Sequence, residues 1–148
     1  MREKLISLET AKLAKERGLV IENDYFYCLY GLKKHKVKKS DISFLENPNE
    51  FVLYEGTWEN HCIKPVPCYE PYYSAPSQSL LQKWLRETHN IHVQSVFSAY
   101  FNRKFRFDLT WFNCDGSVEN QMSVTYYDSY EEALEVGLQE GLKLIKVI

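Results

Sequence analysis

The amino-acid sequence predicts an α+β fold with a mainly antiparallel sheet and three helices. Three observations support this prediction: amphipathic helical patterns that begin at capping residues, segments in which apolar and polar residues alternate, and turn residues between those segments. In the carboxy-terminal half, the elements follow in the order α-β-β-β-α. We expect residues 1–148 to form a single domain, because this length is common for one domain and no linker interrupts it.

The first helix is predicted to begin after Ser7, whose side chain can accept a hydrogen bond from the first helical turn. Gly18 marks its end, because glycine readily adopts the positive φ of a helix terminator. An apolar stripe should place this helix on the sheet, and it consists of Leu8, Ala11, Leu13 and Ala14.

Segments rich in aromatic residues follow the first helix. Residues 25–30 and 51–54 predict strands, and the short run at residues 61–63 is compatible with another strand. Prolines at positions 65, 67 and 71 exclude a central strand or a helix over residues 65–73. We therefore predict an extended aromatic loop there.

The second helix is predicted to begin after Ser77 and to end at Asn90, which tolerates a left-handed conformation. Its apolar positions recur with helical spacing at Leu80, Leu81, Trp84 and Leu85. A strand starts directly afterwards, at Ile91. The next strand shows the clearest alternation of the chain, with apolar residues at Phe105, Phe107, Leu109 and Trp111. We expect Phe105, Phe107 and Trp111 to belong to the core.

A hairpin turn at Asp115 and Gly116 predicts the third strand of this group. The alternate apolar positions of that strand are Met122, Val124 and Tyr126. The last helix opens with a capping box, in which Ser129 accepts from a backbone amide and Glu132 reaches back to the cap. Its buried stripe is predicted to consist of Leu134, Leu138, Leu142 and Ile145.

Composition and charge exclude several classes of protein. The formal net charge is −2, so the chain has no overall field that would steer it to one kind of partner. No apolar run is long enough to span a membrane, and the first residues lack the apolar core of a secretion signal. We therefore expect a soluble cytoplasmic protein. The four cysteines are expected to be reduced thiols, and they are Cys28, Cys62, Cys68 and Cys114.

The sequence predicts neither a cofactor nor a metal. The six glycines are dispersed, so no glycine-rich loop can hold a phosphate. His61, Cys62 and Cys68 offer zinc-binding atoms, but they lack the closely paired spacing of structural zinc sites. No catalytic residue is assigned, and an enzyme of unidentified reaction is the third of the functional hypotheses.

Two segments resemble small uncharacterised proteins of bacteriophages and prophages of gut bacteria. The first runs from Pro76 to Arg86 and continues at residues 89–93, and the second covers residues 130–135, 137–138 and 142–145. Residues 7–15 carry a weaker likeness. The resemblance implies an intracellular protein encoded on a mobile element. It assigns no functional residue.

The first functional hypothesis is a small accessory module that binds a protein partner or a second copy of itself. Tyrosines held on prolines give rigid, amphipathic contact area at a low entropic cost. The partner-binding residues predicted on this basis are Trp58, Tyr69, Tyr72 and Tyr73. The alternative is that these rings cover one face of the sheet.

The second hypothesis is a nucleic-acid-binding protein. Its predicted contact residues are Lys33, Lys34, Lys36, Lys38, Lys39, Arg103, Lys104 and Arg106, with tyrosines available for stacking. The α-β-β-β-α order is similar to that of the double-stranded RNA-binding domain. However, Glu131 and Glu132 stand at the start of the last helix, where they would repel the phosphate backbone.

Overall fold

The computed structural model describes residues 3–21, 25–29, 51–55, 72–100 and 103–146. The chain divides into two compact units. The first unit combines Met1–Gly18 with Ser77–Ile148, and the second unit is Leu19–Pro76. The prediction of a single domain stays a prediction.

The described residues confirm the α+β class, with three helices and antiparallel sheets. The helices are α1 (Leu8–Glu16), α2 (Gln78–His89) and α3 (Tyr130–Lys143). The strands are β1 (Tyr25–Leu29), β2 (Phe51–Glu55), β3 (Tyr72–Ser74), β4 (Ile91–Ser98), β5 (Lys104–Phe112) and β6 (Val118–Met122). From α2 onward the order is α-β-β-β-α, as predicted.

The second unit contains a three-stranded sheet in the order β2-β1-β3, and β1 is antiparallel to both neighbours. This corrects the prediction of a loop over residues 65–73, because Tyr72 and Tyr73 belong to β3. The strand lies at the edge of its sheet, which is where a segment next to prolines can still pair. Residues 61–63 and the rest of the predicted loop lie outside the described residues.

Local sequence signals determine the ends of the helices in the first unit. The hydroxyl groups of Ser7, Ser77 and Ser129 each accept a hydrogen bond from a backbone amide of the first turn, over 3.1–3.3 Å. Asn90 ends α2 with a φ of 56°, the left-handed conformation expected of it. All three predicted N-terminal caps are therefore present.

A three-stranded antiparallel sheet in the order β4-β5-β6 forms the centre of the first unit. Helix α3 packs on β4 and β5 with very little space between them. A Cβ atom built on Gly137 would lie 2.8 Å from Phe107 Cβ and 2.9 Å from Val93 Cγ1. The core between α3 and the sheet includes the whole predicted stripe of α3, and its buried residues are Ile91, Val93, Phe107, Leu109, Leu134, Leu138, Leu142 and Ile145.

A polar cluster joins the three helices of the first unit. The Glu135 carboxylate accepts hydrogen bonds from the Ser7 backbone amide (3.3 Å), from Gln78 Nε2 (3.1 Å) and from the Thr10 hydroxyl. Thr10 and Gln78 are buried. Because the carboxylate is held by donors from α1 and α2, this cluster stabilises the helix layer.

Two expectations about the strands require correction. Phe107 is buried, but Phe105 and Trp111 are only half-buried, because they lie toward the two ends of β5. The strand after the hairpin ends at Met122, and Val124 is 99% exposed. All five residues of β6 are exposed, because α3 packs over β4 and β5 and leaves β6 at the margin of the sheet.

Candidate functional site

The face of the β4-β5-β6 sheet that points away from α3 carries a mixed polar and apolar surface. Strand alternation places every second residue on this outer face. None of its residues is buried. They are His92, Gln94, Val96 and Ser98 on β4, then Lys104, Arg106, Asp108, Thr110 and Phe112 on β5, and Val118, Asn120 and Met122 on β6.

Partners on the protein itself engage the polar groups of the outer face. Arg106 Nε donates to Asp108 Oδ1 over 3.1 Å, and Lys104 Nζ lies 3.2 Å from Asp128 Oδ1. The Thr110 hydroxyl donates to Asn120 Oδ1 over 2.8 Å. Both cations are therefore balanced locally, which lowers the attraction of this face for phosphate groups.

The apolar part of the outer face lies on β5 and β6. Phe112 pairs across the strands with Val118, and these side chains are 46% and 52% exposed. Met122, at the other end of β6, is 58% exposed. This face therefore offers an exposed apolar pair and, apart from it, one exposed methionine.

The outer edge of β6 offers backbone hydrogen-bonding groups. The Asn113 amide donates to the Ser117 carbonyl and the Ser123 amide to the Phe107 carbonyl, over 2.8 and 2.9 Å. Hydrogen-bonded pairs alternate with non-hydrogen-bonded pairs in an antiparallel ladder. Within β6, the residues that bond to β5 are therefore Glu119 and Gln121. The backbone groups of Val118, Asn120 and Met122 point away from β5, and within the described part of the chain β6 pairs with no other strand.

A cleft of about 760 Å³ lies at the end of the same sheet, and we call it the end cleft. It is formed where α2 ends, β4 begins, the β5–β6 turn projects and α3 ends. Its apolar lining includes Ile91, Trp111, Phe112, Leu144 and Ile145. Its polar and charged lining includes His89, Asn113, Cys114, Asp115, Glu119 and Lys146.

Hydrogen bonds within the β5–β6 turn orient the carboxylates of the end cleft. Asp115 Oδ1 accepts from the Ser117 hydroxyl (2.6 Å) and from the Ser117 backbone amide (2.8 Å). These hydrogen bonds hold the pKa of Asp115 below its usual value, so the group is ionised at neutral pH. Glu119 Oε1 accepts from Asn113 Nδ2 over 3.1 Å. The turn and the start of β6 therefore present two positioned carboxylates.

His89 forms part of the wall of the end cleft, at the last residue of α2. Its ring packs edge-on against Trp84 with a centroid distance of 4.7 Å, and its Nε2 atom is buried without a hydrogen-bond partner. Burial lowers the pKa of His89 and favours its neutral form. Cys114, a free exposed thiol, lines the same cleft, but Nε2 makes no hydrogen bond that would activate it.

Two of the four residues of the predicted partner-binding surface, Trp58 and Tyr69, lie outside the described residues, and so does the side chain of Tyr72. Tyr73 is half-buried in β3. For the predicted nucleic-acid surface, residues 33–39 also lie outside the described part. Arg103 is exposed in the turn before β5, whereas Lys104 and Arg106 have acidic partners. Both surfaces stay predictions.

The edge of β6 and the end cleft were not predicted from the sequence. The polar run Glu119–Asn120–Gln121 was a signal that the third strand lies at a margin, because a core strand rarely has three such residues in succession. The cleft has no comparable signal, since its lining comes from four separate segments. Across the described ranges, no group of three histidine, cysteine or acidic side chains is arranged to hold a metal ion. Among those same residues, no helix has the length and apolar character needed to cross a membrane.

Comparison of the chain with models of protein families, with curated proteins and with solved structures finds no match. Any function of this protein must therefore be inferred from the surfaces described above.

Proposed function

We propose that this protein is a small binding module that acts by contact and recognises an extended segment of a partner protein at the edge of β6. The observation that carries the proposal is the exposure of this strand and its outer edge, which is unpaired in the part of the chain that the structure describes. β6 is exposed along its whole length and, among the described residues, it pairs on one side only. An edge strand of this kind is a template for an additional strand.

The backbone geometry of β6 supports recognition by strand addition. The amide and carbonyl groups of Val118, Asn120 and Met122 point outward. An extended peptide can therefore form backbone hydrogen bonds with every second residue of β6, at three positions in all. Main-chain hydrogen bonds of this type supply affinity whatever the peptide sequence, and side-chain contacts supply specificity. β6 contains no proline or lysine, two residues that commonly protect edge strands from pairing, and its single charged residue is Glu119.

The side chains next to this edge indicate the character of the partner. An added strand would continue the outer face beside Val118 and Met122, which are both more than half exposed. Its own side chains on that face would lie directly beside theirs, at the spacing of cross-strand neighbours. We therefore expect a segment with alternating apolar residues on the outer face.

The proposed origin and cellular location are based on the resemblance to phage and prophage proteins. That resemblance supports an origin on a mobile element, and a cytoplasmic location follows from the same source. A contact surface in the second unit, built from Trp58, Tyr69, Tyr72 and Tyr73, is a further part of the proposal.

The test uses peptides selected against the whole protein from a library of displayed linear peptides. Two variants at one position then separate the backbone from the side chain. Asn120→Ala keeps the outward amide, whereas Asn120→Pro removes it, and both lose the hydrogen bond to Thr110. Because this amide does not bond to β5, proline there should leave the protein folded.

We expect selected peptides to bind the wild type and Asn120→Ala with similar affinity and to bind Asn120→Pro at least about tenfold more weakly. Slow hydrogen exchange of the Asn120 amide should appear only in the complex. Gln121→Pro is the matched control for folding, since it removes an amide that bonds to β5 and should lower the free energy of unfolding. Peptides that bind Asn120→Pro as tightly as Asn120→Ala would contradict the proposal.

A further inference from the structure

We propose that the end cleft binds a small organic cation, an amine joined to a flat apolar body. This site is separate from the proposed strand addition, which uses the outward backbone groups of β6. The proposal is based on the shape of the cleft and on the charge of its lining.

The shape of the cleft suits a small molecule. Its volume of about 760 Å³ lies within the range of ligand pockets, which is roughly 300–1,000 Å³. Ile91 and Ile145 are 5% and 9% exposed and belong to the core, so they form a fixed apolar base. Trp111 is half-buried beside them and leaves part of its indole ring facing the cleft. Because the two isoleucines expose little surface, a flat apolar group would pack mainly on Trp111 and on Phe112, which is 46% exposed.

The charge of the lining favours a cation. Asp115 and Glu119 contribute two carboxylates, each oriented by a hydrogen bond from the β5–β6 turn. Lys146 contributes one positive charge, but this residue is exposed and its charge is solvated. The neutral form of His89 is favoured because burial lowers its pKa. Two negative groups against one positive group leave the cleft with a net negative charge.

Two helices end at this cleft, and cations of the protein offset the negative potential of their ends. α2 ends at His89 and α3 ends at Lys143, followed by Leu144 and Ile145. His89, Leu144 and Ile145 all line the cleft. The carboxy-terminal end of a helix carries about half a negative elementary charge, but here Arg17 Nε donates to the Leu142 carbonyl over 3.1 Å, and Arg86 and Lys143 stand in the last turns of α2 and α3. Trp111 adds an aromatic ring to the lining of the same cleft.

The experiment compares three probes with the same phenyl-ethyl body and different charge: phenethylamine, phenethyl alcohol and hydrocinnamate. The Trp111 indole N–H and the Asn113 amide are followed by two-dimensional NMR during titration of the full chain. We expect phenethylamine to bind with a Kd on the order of 1 mM, at least about tenfold tighter than the alcohol. Hydrocinnamate should cause no shift at these resonances.

Surface variants check that the carboxylates cause the preference. Asp115→Asn and Glu119→Gln should each weaken phenethylamine binding about two- to fivefold, and Lys146→Gln should strengthen it by a similar or smaller factor. The matched control is Glu131→Gln, which removes the same charge at the opposite end of α3 and should change nothing. Equal binding of amine and alcohol, or no shift with about 10 mM amine, would overturn the proposal. These probes do not require the edge of β6, so either proposal can fail alone.

Discussion

The two faces of the β4-β5-β6 sheet differ in burial, although the same strands form both. On the face toward α3, Val93, Phe107 and Leu109 are at most 4% exposed, and Gly137 allows the helix backbone to approach them closely. On the outer face no residue is buried, and the charged groups on β5 have partners on the protein. Close packing therefore restricts the size of the side chains on the first face, whereas the second face tolerates a wider range of side chains.

The largest difference between the faces should appear on truncation of apolar side chains. Leu109→Ala removes a side chain that is 1% exposed, and we expect it to lower the free energy of unfolding by about 2–5 kcal/mol. Val118→Ala removes a half-exposed side chain on the outer face and should cost less than about 1 kcal/mol. Urea unfolding followed by circular dichroism measures both. Equal costs would show that the outer face is packed against something in solution.

A smaller effect is expected where α3 approaches the sheet. Gly137→Ala places a methyl group 2.8 Å from Phe107 Cβ, and this overpacking should cost about 1–3 kcal/mol. Alanine also favours the helix by about 0.5–1 kcal/mol, so the net loss should be about 1 kcal/mol.

Gly141→Ala is the matched control on the same helix. Its nearest neighbour would be Val93 Cγ2 at 3.1 Å, so the clash is milder and the helix preference should offset most of it. We expect a net change within about 0.5 kcal/mol for this variant. A Gly137→Ala protein as stable as the wild type would show that α3 can shift away from the sheet.

The same contrast explains what the sequence could predict. The ends of the helices were predictable because Ser7, Ser77, Ser129 and Asn90 act within one turn of the chain. The stripe of α3 was predictable because one helix face meets one sheet face. The extent of β6 was not predictable. Met122 and Val124 follow the alternation of a half-buried strand, but nothing in the described part of the chain covers that margin of the sheet. Apolar alternation shows that a strand has two faces, but the packing of α3 decides which strands are covered.

The end cleft could not be predicted for a related reason. Its carboxylates belong to the β5–β6 turn and to β6, whereas its histidine and its apolar base belong to α2, β4 and the residues after α3. Each residue has an ordinary local role: Asp115 stabilises a turn and His89 ends a helix. Only the antiparallel order of β4 and β5 brings these segments to the same end of the sheet.

The smallest expected effect is the acid sensitivity of His89, which lies between the core and the end cleft. Because burial lowers the pKa of His89 in the folded protein, the unfolded chain binds a proton more readily, with a pKa of about 6.5. The contribution of neutral His89 to stability is therefore complete above about pH 6.5 and is lost as the pH falls through the folded-state pKa. His89→Gln cannot take up this proton, so its stability should fall less than that of the wild type between about pH 7.5 and pH 5. Urea midpoints across this range measure the difference, and an NMR titration of the His89 ring should give a pKa below the ordinary value. Parallel pH profiles for the two proteins would show that the His89 ring is fully hydrated in solution, and the wall of the end cleft would then be more open than the structure shows.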